Sequence, residues 1–195
     1  MVGWTGENRS IRFGLDDQLE AHFRTSLHRH CRRFMSAIES LEQALGSVGS
    51  RSDDVWDAAQ RALTEVGMMS KVLWPVDRKD RARGVLLRES IGVPLSSMLS
   101  DRAVRNALEH ADERLQDWYN SSTRRNYTTL IGPRSLVGGM EDSDVVLHYD
   151  ENHFLHAWGE SVDMRALHRE VRTLMDTLEF QEQANPRSSR FRLFR

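Results

Sequence analysis

Apolar residues recur every three or four positions from Leu15 onward. Leu15, Leu19, Phe23, Leu27, Cys31, Phe34, Ile38, Leu41 and Leu45 fall on one stripe, the spacing of an amphipathic helix. Gly46 and Gly49, with Ser47 and Ser50, predict its end, because glycine enters the left-handed conformation after a helix at little cost. Ser52 or Asp53 caps a second helix with the stripe Val55 or Trp56, Ala59, Leu63, Val66, Met69 and Leu73. Pro75 stops it. Two long amphipathic helices joined by a short turn predict an antiparallel hairpin. A third, shorter helix runs from about Arg78 to Ser90, closed by Gly92 and Pro94. Ser100 and Asp101 open a fourth, with Val104, Ala107 or Leu108, Ala111, Leu115 and Trp118 as its apolar stripe and Tyr119 near its end.

The texture changes after Asn120. Residues 121–144 are rich in Ser, Thr, Arg and Gly, and Gly138-Gly139 interrupts any period, so the segment reads as a long loop. Val145–Tyr149 and Phe154–Trp158 are short β-prone runs flanking Asp150–His153, the pattern of a hairpin. Asp163 then caps a last helix with the stripe Met164, Leu167, Val171, Leu174 and Leu178. The predicted organisation is a loose arm over 1–14, an α-helical bundle over 15–120 and a loop over 121–144. A β-hairpin plus helix packs on the bundle over 145–180, and a basic disordered tail covers 181–195. The expected fold class is mainly α, a four-helix bundle with a small C-terminal β-hairpin and a terminal helix.

Composition narrows the class without naming a chemistry. At 195 residues, with 39% hydrophobic and 29% charged positions, the chain is long enough to bury roughly 70% of its unfolded surface without a disulfide or metal staple. It carries no apolar run of about 18 residues, so no membrane span is expected, and residues 1–15 lack the basic cap and apolar stretch of a secretory signal. The lone Cys31 forms no internal disulfide, and a cytoplasmic location is expected. Net charge is −2, so contact with nucleic acid requires a local patch. Lys71 and Lys79 are the only lysines among 27 basic residues.

Chemistry concentrates on the fourth helix, in Arg105-Asn-Ala-Leu-Glu-His110. On a continuous helix Asn106 and His110 share a face, whereas Arg105 sits about 140° round from His110, so one helix alone does not converge the pair. His110 is a proton carrier near neutral pH, Arg105 an anion or phosphate partner, and Asn106 an orienting group. The same stretch also makes an ordinary ion pair of Arg105 with Glu109. His28, His30 and Cys31 diverge by about 100° per residue on the first helix, so they make no metal site. A hairpin turn centred on Glu151-Asn152 places His148 and His156 on opposite faces, which argues against a joint metal site there. No GxGxxG, Walker, GxSxG, HExxH or CxxC motif occurs, and no cofactor or metal is expected. Arg187, Arg190, Arg192 and Arg195 interleave with Phe191 and Phe194, and Arg124-Arg125 lie near Tyr127. With Arg102, these arginines are the candidates for contact with a nucleic-acid strand, Arg187 and Arg190 among them.

An Arg followed by Asn, three further residues and His, on a late helix of an α-bundle, resembles the HEPN superfamily, the higher eukaryote and prokaryote nucleotide-binding fold. The longer string RNALEHADERLQDW is similar to a recurrent stretch of bacterial HEPN-like proteins. The architecture matches over about 15–120, the motif over 14 residues. The resemblance implies a HEPN-like four-helix bundle and a homodimer whose shared cleft is lined by Arg105, Asn106 and His110. It also implies metal-independent endoribonuclease activity, with His110 as acid or base on the ribose 2′-hydroxyl and Arg105 on the phosphate. Partners implied are RNA and a protein such as an antitoxin. Other HEPN domains are non-catalytic, so the alternative expectation is an RNA- or protein-interaction module.

Overall fold

A computed structural model describes residues 15–47, 51–136, 138–141 and 144–184. The expected N-terminal arm and most of the basic tail, Arg187 and Arg190 included, lie outside the described residues. The mainly helical class holds, with one small sheet.

The long stripe at the N-terminus forms helix α1 (Asp17–Gly46), and Asp16 caps it by accepting the Leu19 amide at 2.7 Å. Helix α2 (Ser52–Leu73) turns back along it. The two are pinned by Cys31 Sγ at 3.5 Å from Met69 Sδ and His30 Nδ1 at 2.6 Å from Glu65 Oε2. Leu27, Phe34, Ala58, Ala62, Met69 and Leu73 between them are fully excluded from solvent. Helix α6 (Met164–Ala184) lies antiparallel on the other side of α1, and its buried residues are Met164, Leu167, Val171, Leu174 and Leu178, the expected stripe. It continues through 181–184, which the sequence assigns to the tail. Gln181 accepts from Arg24 and, with it, reaches the carbonyls that end helix α3 (Arg81–Ile91). His28 Nε2 lies 2.9 Å from Glu179 Oε1.

Helix α2 ends in a collar of guanidinium groups. Arg83 donates to the Val72 carbonyl at 3.2 Å, Arg88 to Leu73, and Arg102 to Trp74, to Ser70 O at 3.4 Å and to Ser70 Oγ at 2.9 Å. The last carbonyls of a helix have no partner within it and carry its negative dipole end, so cations settle there. Much of the arginine in this stretch serves the fold. Arg83 also sits over the Phe23 ring at 4.2 Å and Arg88 over Trp74 at 5.0 Å.

The fourth helix is not continuous. It divides into α4 (Ala103–Glu109) and α5 (Ala111–Ser121) at His110, whose φ of −108° and ψ of 34° leave the helical region. No Gly or Pro marks the break. Packing differs on the two sides of it: α4 lies on α2 and the sheet, while α5 touches the sheet through Arg114, which donates to the Trp158 carbonyl at 3.4 Å. The expected burial of Leu115 and Trp118 fails with it, since no residue of α5 is buried and Leu115 is 43% exposed.

The expected loop over 121–144 contains strand β1 (Thr128–Ile131) and a short 3-10 turn at Arg134–Leu136. Strand β1 runs parallel to β2 (Val145–Tyr149), which pairs antiparallel with β3 (Phe154–Ala157), itself antiparallel to β4 (Glu160–Asp163). Instead of a lone hairpin there is a four-stranded sheet. Tyr149, Leu155 and Ala157 join the helical core, with Leu147 and Val162 packed against it.

Candidate functional site

The motif residues occupy α4 and its C-terminal junction. Arg105 folds back over α2 onto Gly67, with Nη1 at 3.5 Å from the Gly67 carbonyl oxygen. A Cβ on residue 67 would overlap Cδ of Arg105 and lie 2.9 Å from Nη1, so the bare glycine surface forms the seat of this side chain. Nη2 of Arg105 donates to Asn106 Oδ1 at 2.6 Å, which fixes the amide. Glu109 Oε2 stands 3.4 Å from Arg105 Nε, a buried atom without a hydrogen-bond partner. The ion pair expected from the i,i+4 spacing is therefore present, and Arg105 keeps only 11% of its side chain exposed against 48% for Glu109.

His110 is placed differently. Its backbone amide donates to the Asn106 carbonyl at 3.0 Å, so the break leaves that bond intact. Its side chain is 58% exposed, and Nδ1 lies 3.7 Å from Glu113 Oε2 at the start of α5. The structure thus joins Arg105 to Asn106 and gives His110 to solvent and Glu113. Arg102 is one turn before Arg105 but points into the collar. Burial, then the neighbouring Arg105 charge, lowers the pKa of its guanidinium, and its donors are engaged by α2.

Arg124 and Arg125 lie beyond α5. Arg124 is half-exposed and paired with Glu141 and Asp144 at 3.5 Å each. Arg125 stacks on Tyr119 at 4.2 Å and donates to its hydroxyl at 3.2 Å. An open groove between α1 and α2, lined by Arg33, Ser36, Ser40, Asp57, Arg61 and Glu65, includes none of the motif residues. Cys31 is buried, and burial pushes its thiol up to about 12, which removes it as a nucleophile at neutral pH. Among the described residues no group of three His, Cys, Asp or Glu is placed to hold a metal ion. No described helix is long and apolar enough to cross a membrane.

One expectation about the histidines is corrected. His148 and His156 face each other across β2 and β3 on the same side of the sheet, their rings stacked with centroids 5.4 Å apart. The reason is a turn centred on Asn152 alone, half a residue later than the sequence suggested. Asp150 Oδ1 accepts the Asn152 and Phe154 amides at 2.9 and 2.8 Å, and His153 takes a φ of 65°. Each ring has its own anchor, His148 Nε2 at 2.7 Å from the Gly132 carbonyl and His156 Nε2 at 3.2 Å from Asp150 Oδ2. Neither approaches α4 by a hydrogen bond or ion pair.

Burial alone pushes the Asp150 carboxyl up, but bonds from Phe154, His156 and Asn152 outweigh it and hold it below the usual range. A depressed folded pKa stabilises the fold above the unfolded value near ~3.9 and loses that contribution as pH falls through the lower folded value. Asp150→Ala is therefore expected to cost about 2 kcal/mol at pH 7 and to flatten the acid limb of the stability curve. Urea unfolding between pH 7 and pH 2.5 checks both, and an unchanged acid limb would refute the assignment.

Comparison with protein-family models, with curated proteins and with solved structures returns no match.

Proposed function

We propose that the chain is a HEPN-like, RNA-directed protein that acts as a homodimeric, metal-independent endoribonuclease through Arg105, Asn106 and His110. The observation that supports this best is the locked pair of Arg105 and Asn106, 2.6 Å apart, one helical turn before a largely exposed histidine at a helix junction. Helices α1 to α5, with α4 and α5 together as its fourth helix, correspond in this reading to the HEPN-like bundle, with the sheet and α6 added to it.

Glu109 indicates where an anion meets Arg105. It is half-exposed and held on one arginine nitrogen at 3.4 Å, so an RNA phosphate displaces it and takes the charge-assisted bonds. Asn106, oriented by Arg105, holds a non-bridging oxygen. His110 takes the proton from the ribose 2′-hydroxyl as that oxygen attacks phosphorus; a 2′,3′-cyclic phosphate forms, the P–O5′ bond breaks, and the leaving 5′-oxygen takes a proton from water. A second copy supplies the groups that one chain does not bring together.

Cleavage of a labelled RNA in EDTA tests the reading. His110→Ala is expected to slow cleavage by about 10²–10⁴-fold while circular dichroism stays unchanged, because the side chain is exposed. Unaltered cleavage by the variant removes His110 from the mechanism. The second reading, a non-catalytic interaction module, is favoured by the unburied α5, and a folded native protein that leaves RNA intact would select it.

A further inference from the structure

A chain of net charge −2 needs a local basic patch to hold a polyanion. Arg124 and Arg125 do not supply it, because Glu141, Asp144 and Tyr119 engage them. The end of α2 does. Residues 71–88 carry six basic side chains and two acidic ones, whereas α6 mixes its three arginines with four carboxylates. The fold keeps the basic stretch together. A Cβ on Gly84 of α3 would lie 2.5 Å from Pro75 Cδ and 2.9 Å from the Leu73 carbonyl oxygen, so the start of α3 is held hard against the end of α2.

The cations of this stretch divide into two sets. Arg83 and Arg88 are engaged by the carbonyls of α2, and Lys79 pairs with Asp77 at 3.4 Å. The side chains of Lys71, Arg78 and Arg81 are exposed and make no hydrogen bond, ion pair or ring contact among the described residues. Lys71 stands one turn beyond Gly67, about 6 Å along the axis and about 40° round it, so it flanks the seat of Arg105. Arg105 also lies near enough to Arg102 to add to the lowering of its pKa, as expected where cations outnumber anions. The apolar groups exposed on this surface are Val76 and Val85, not the Trp, Phe and Leu anchors by which a protein surface enters a bilayer.

We propose that Lys71, Arg78 and Arg81 form a phosphate-binding surface that adjoins the seat of Arg105 and holds single-stranded RNA beside the motif. A strand with one phosphate on Arg105 meets Lys71 with a neighbouring one and passes over the end of α2 to Arg78 and Arg81. Contacts of this kind hold and position the backbone and read no bases. The choice of RNA as the polyanion rests on the ribonuclease reading, whereas the basic surface does not.

Binding of the full chain to a labelled 2′-O-methyl oligouridine tests it, because this RNA keeps its phosphates and lacks the hydroxyl that cleavage needs. Lys71→Gln, Arg78→Gln and Arg81→Gln together are expected to weaken binding by about 10–100-fold and to reduce the slope of log affinity against log salt by about 2. Circular dichroism is expected to stay unchanged. Lys71→Arg with Arg78→Lys and Arg81→Lys keeps the charges and is expected to keep the binding. Arg165→Gln, Arg169→Gln and Arg172→Gln remove as much charge from α6 and are expected to leave the salt slope as it was. Equal losses from the two glutamine triples overturn the proposal, as does no loss from the first. A native protein that binds phosphatidylserine vesicles and not the RNA also overturns it. Cleavage of ordinary RNA is scored separately. A strand bound through these three residues and never cleaved keeps the surface and removes the ribonuclease reading, and cleavage with an unchanged KM in the first triple does the reverse.

Discussion

Arg88→Ala is expected to lower the unfolding free energy by about 3 kcal/mol. Arg88 as a residue is 8% exposed, and its guanidinium donates to the Leu73 carbonyl at the very end of α2, 5.0 Å from the Trp74 ring. Burial lowers the pKa of this side chain, yet arginine stays charged in a protein, and the carbonyl end of α2 is where that charge is received. Alanine leaves a buried carbonyl without a donor, a loss of about 1.5–3 kcal/mol for a charged partner, and also removes the aliphatic stem from the packing. Arg88→Met keeps the stem and is expected to recover roughly a third of the loss. Urea unfolding of the three proteins checks the order. A cost below about 1 kcal/mol for alanine would mean that water replaces the guanidinium without penalty.

On the ribonuclease proposal, Gly67→Ala is expected to reduce RNA cleavage by about 10–100-fold without replacing any residue of the motif. The new methyl group overlaps the Cδ position of Arg105, and this side chain escapes only by leaving its seat, taking the anchor of Asn106 with it. Alanine is the better helix former by about 1 kcal/mol, so α2 gains locally what the displaced contacts lose, and little net change in stability is expected. The variant should fail in the way Arg105→Ala fails, and the two substitutions together should cost no more than either alone. Full cleavage by Gly67→Ala would detach Arg105 from the reaction.

Most of the helical framework was legible because its stripes are long and strictly periodic. All five positions expected on α6 are buried, and α1 adds Met35 and Ala37 beside its stripe. Strand β1 carries a signal that was available, the β-branched and apolar run Thr128-Thr-Leu-Ile131 before Gly132-Pro133. Strand β4 does not. It follows a two-residue turn in which Trp158 and Gly159 both have positive φ, where Asn-Gly is the usual mark, and a tryptophan there hides the hairpin. The division at His110 was also unreadable, since it depends on the surface of α2 and the sheet on which α4 packs. At the motif, the Arg105–Glu109 pair follows from helical spacing. The use of Gly67 as a seat does not, because it joins residues 38 apart on two helices, and neither side chain type announces the contact.

The fastening of α6 has a consequence for how the chain acquires its shape during synthesis. His28 meets a residue 151 positions later, and Arg24 one 157 positions later. A ribosome adding about 5–20 residues per second releases α1 and α2 many seconds before the helix that covers their remaining apolar face. The early hairpin must wait with the face of α1 that α6 covers still open, so closure waits until α6 has been made. The rate at which the codons for residues 74–184 are read therefore governs how long the α1–α2 hairpin stays open to chaperones and to aggregation.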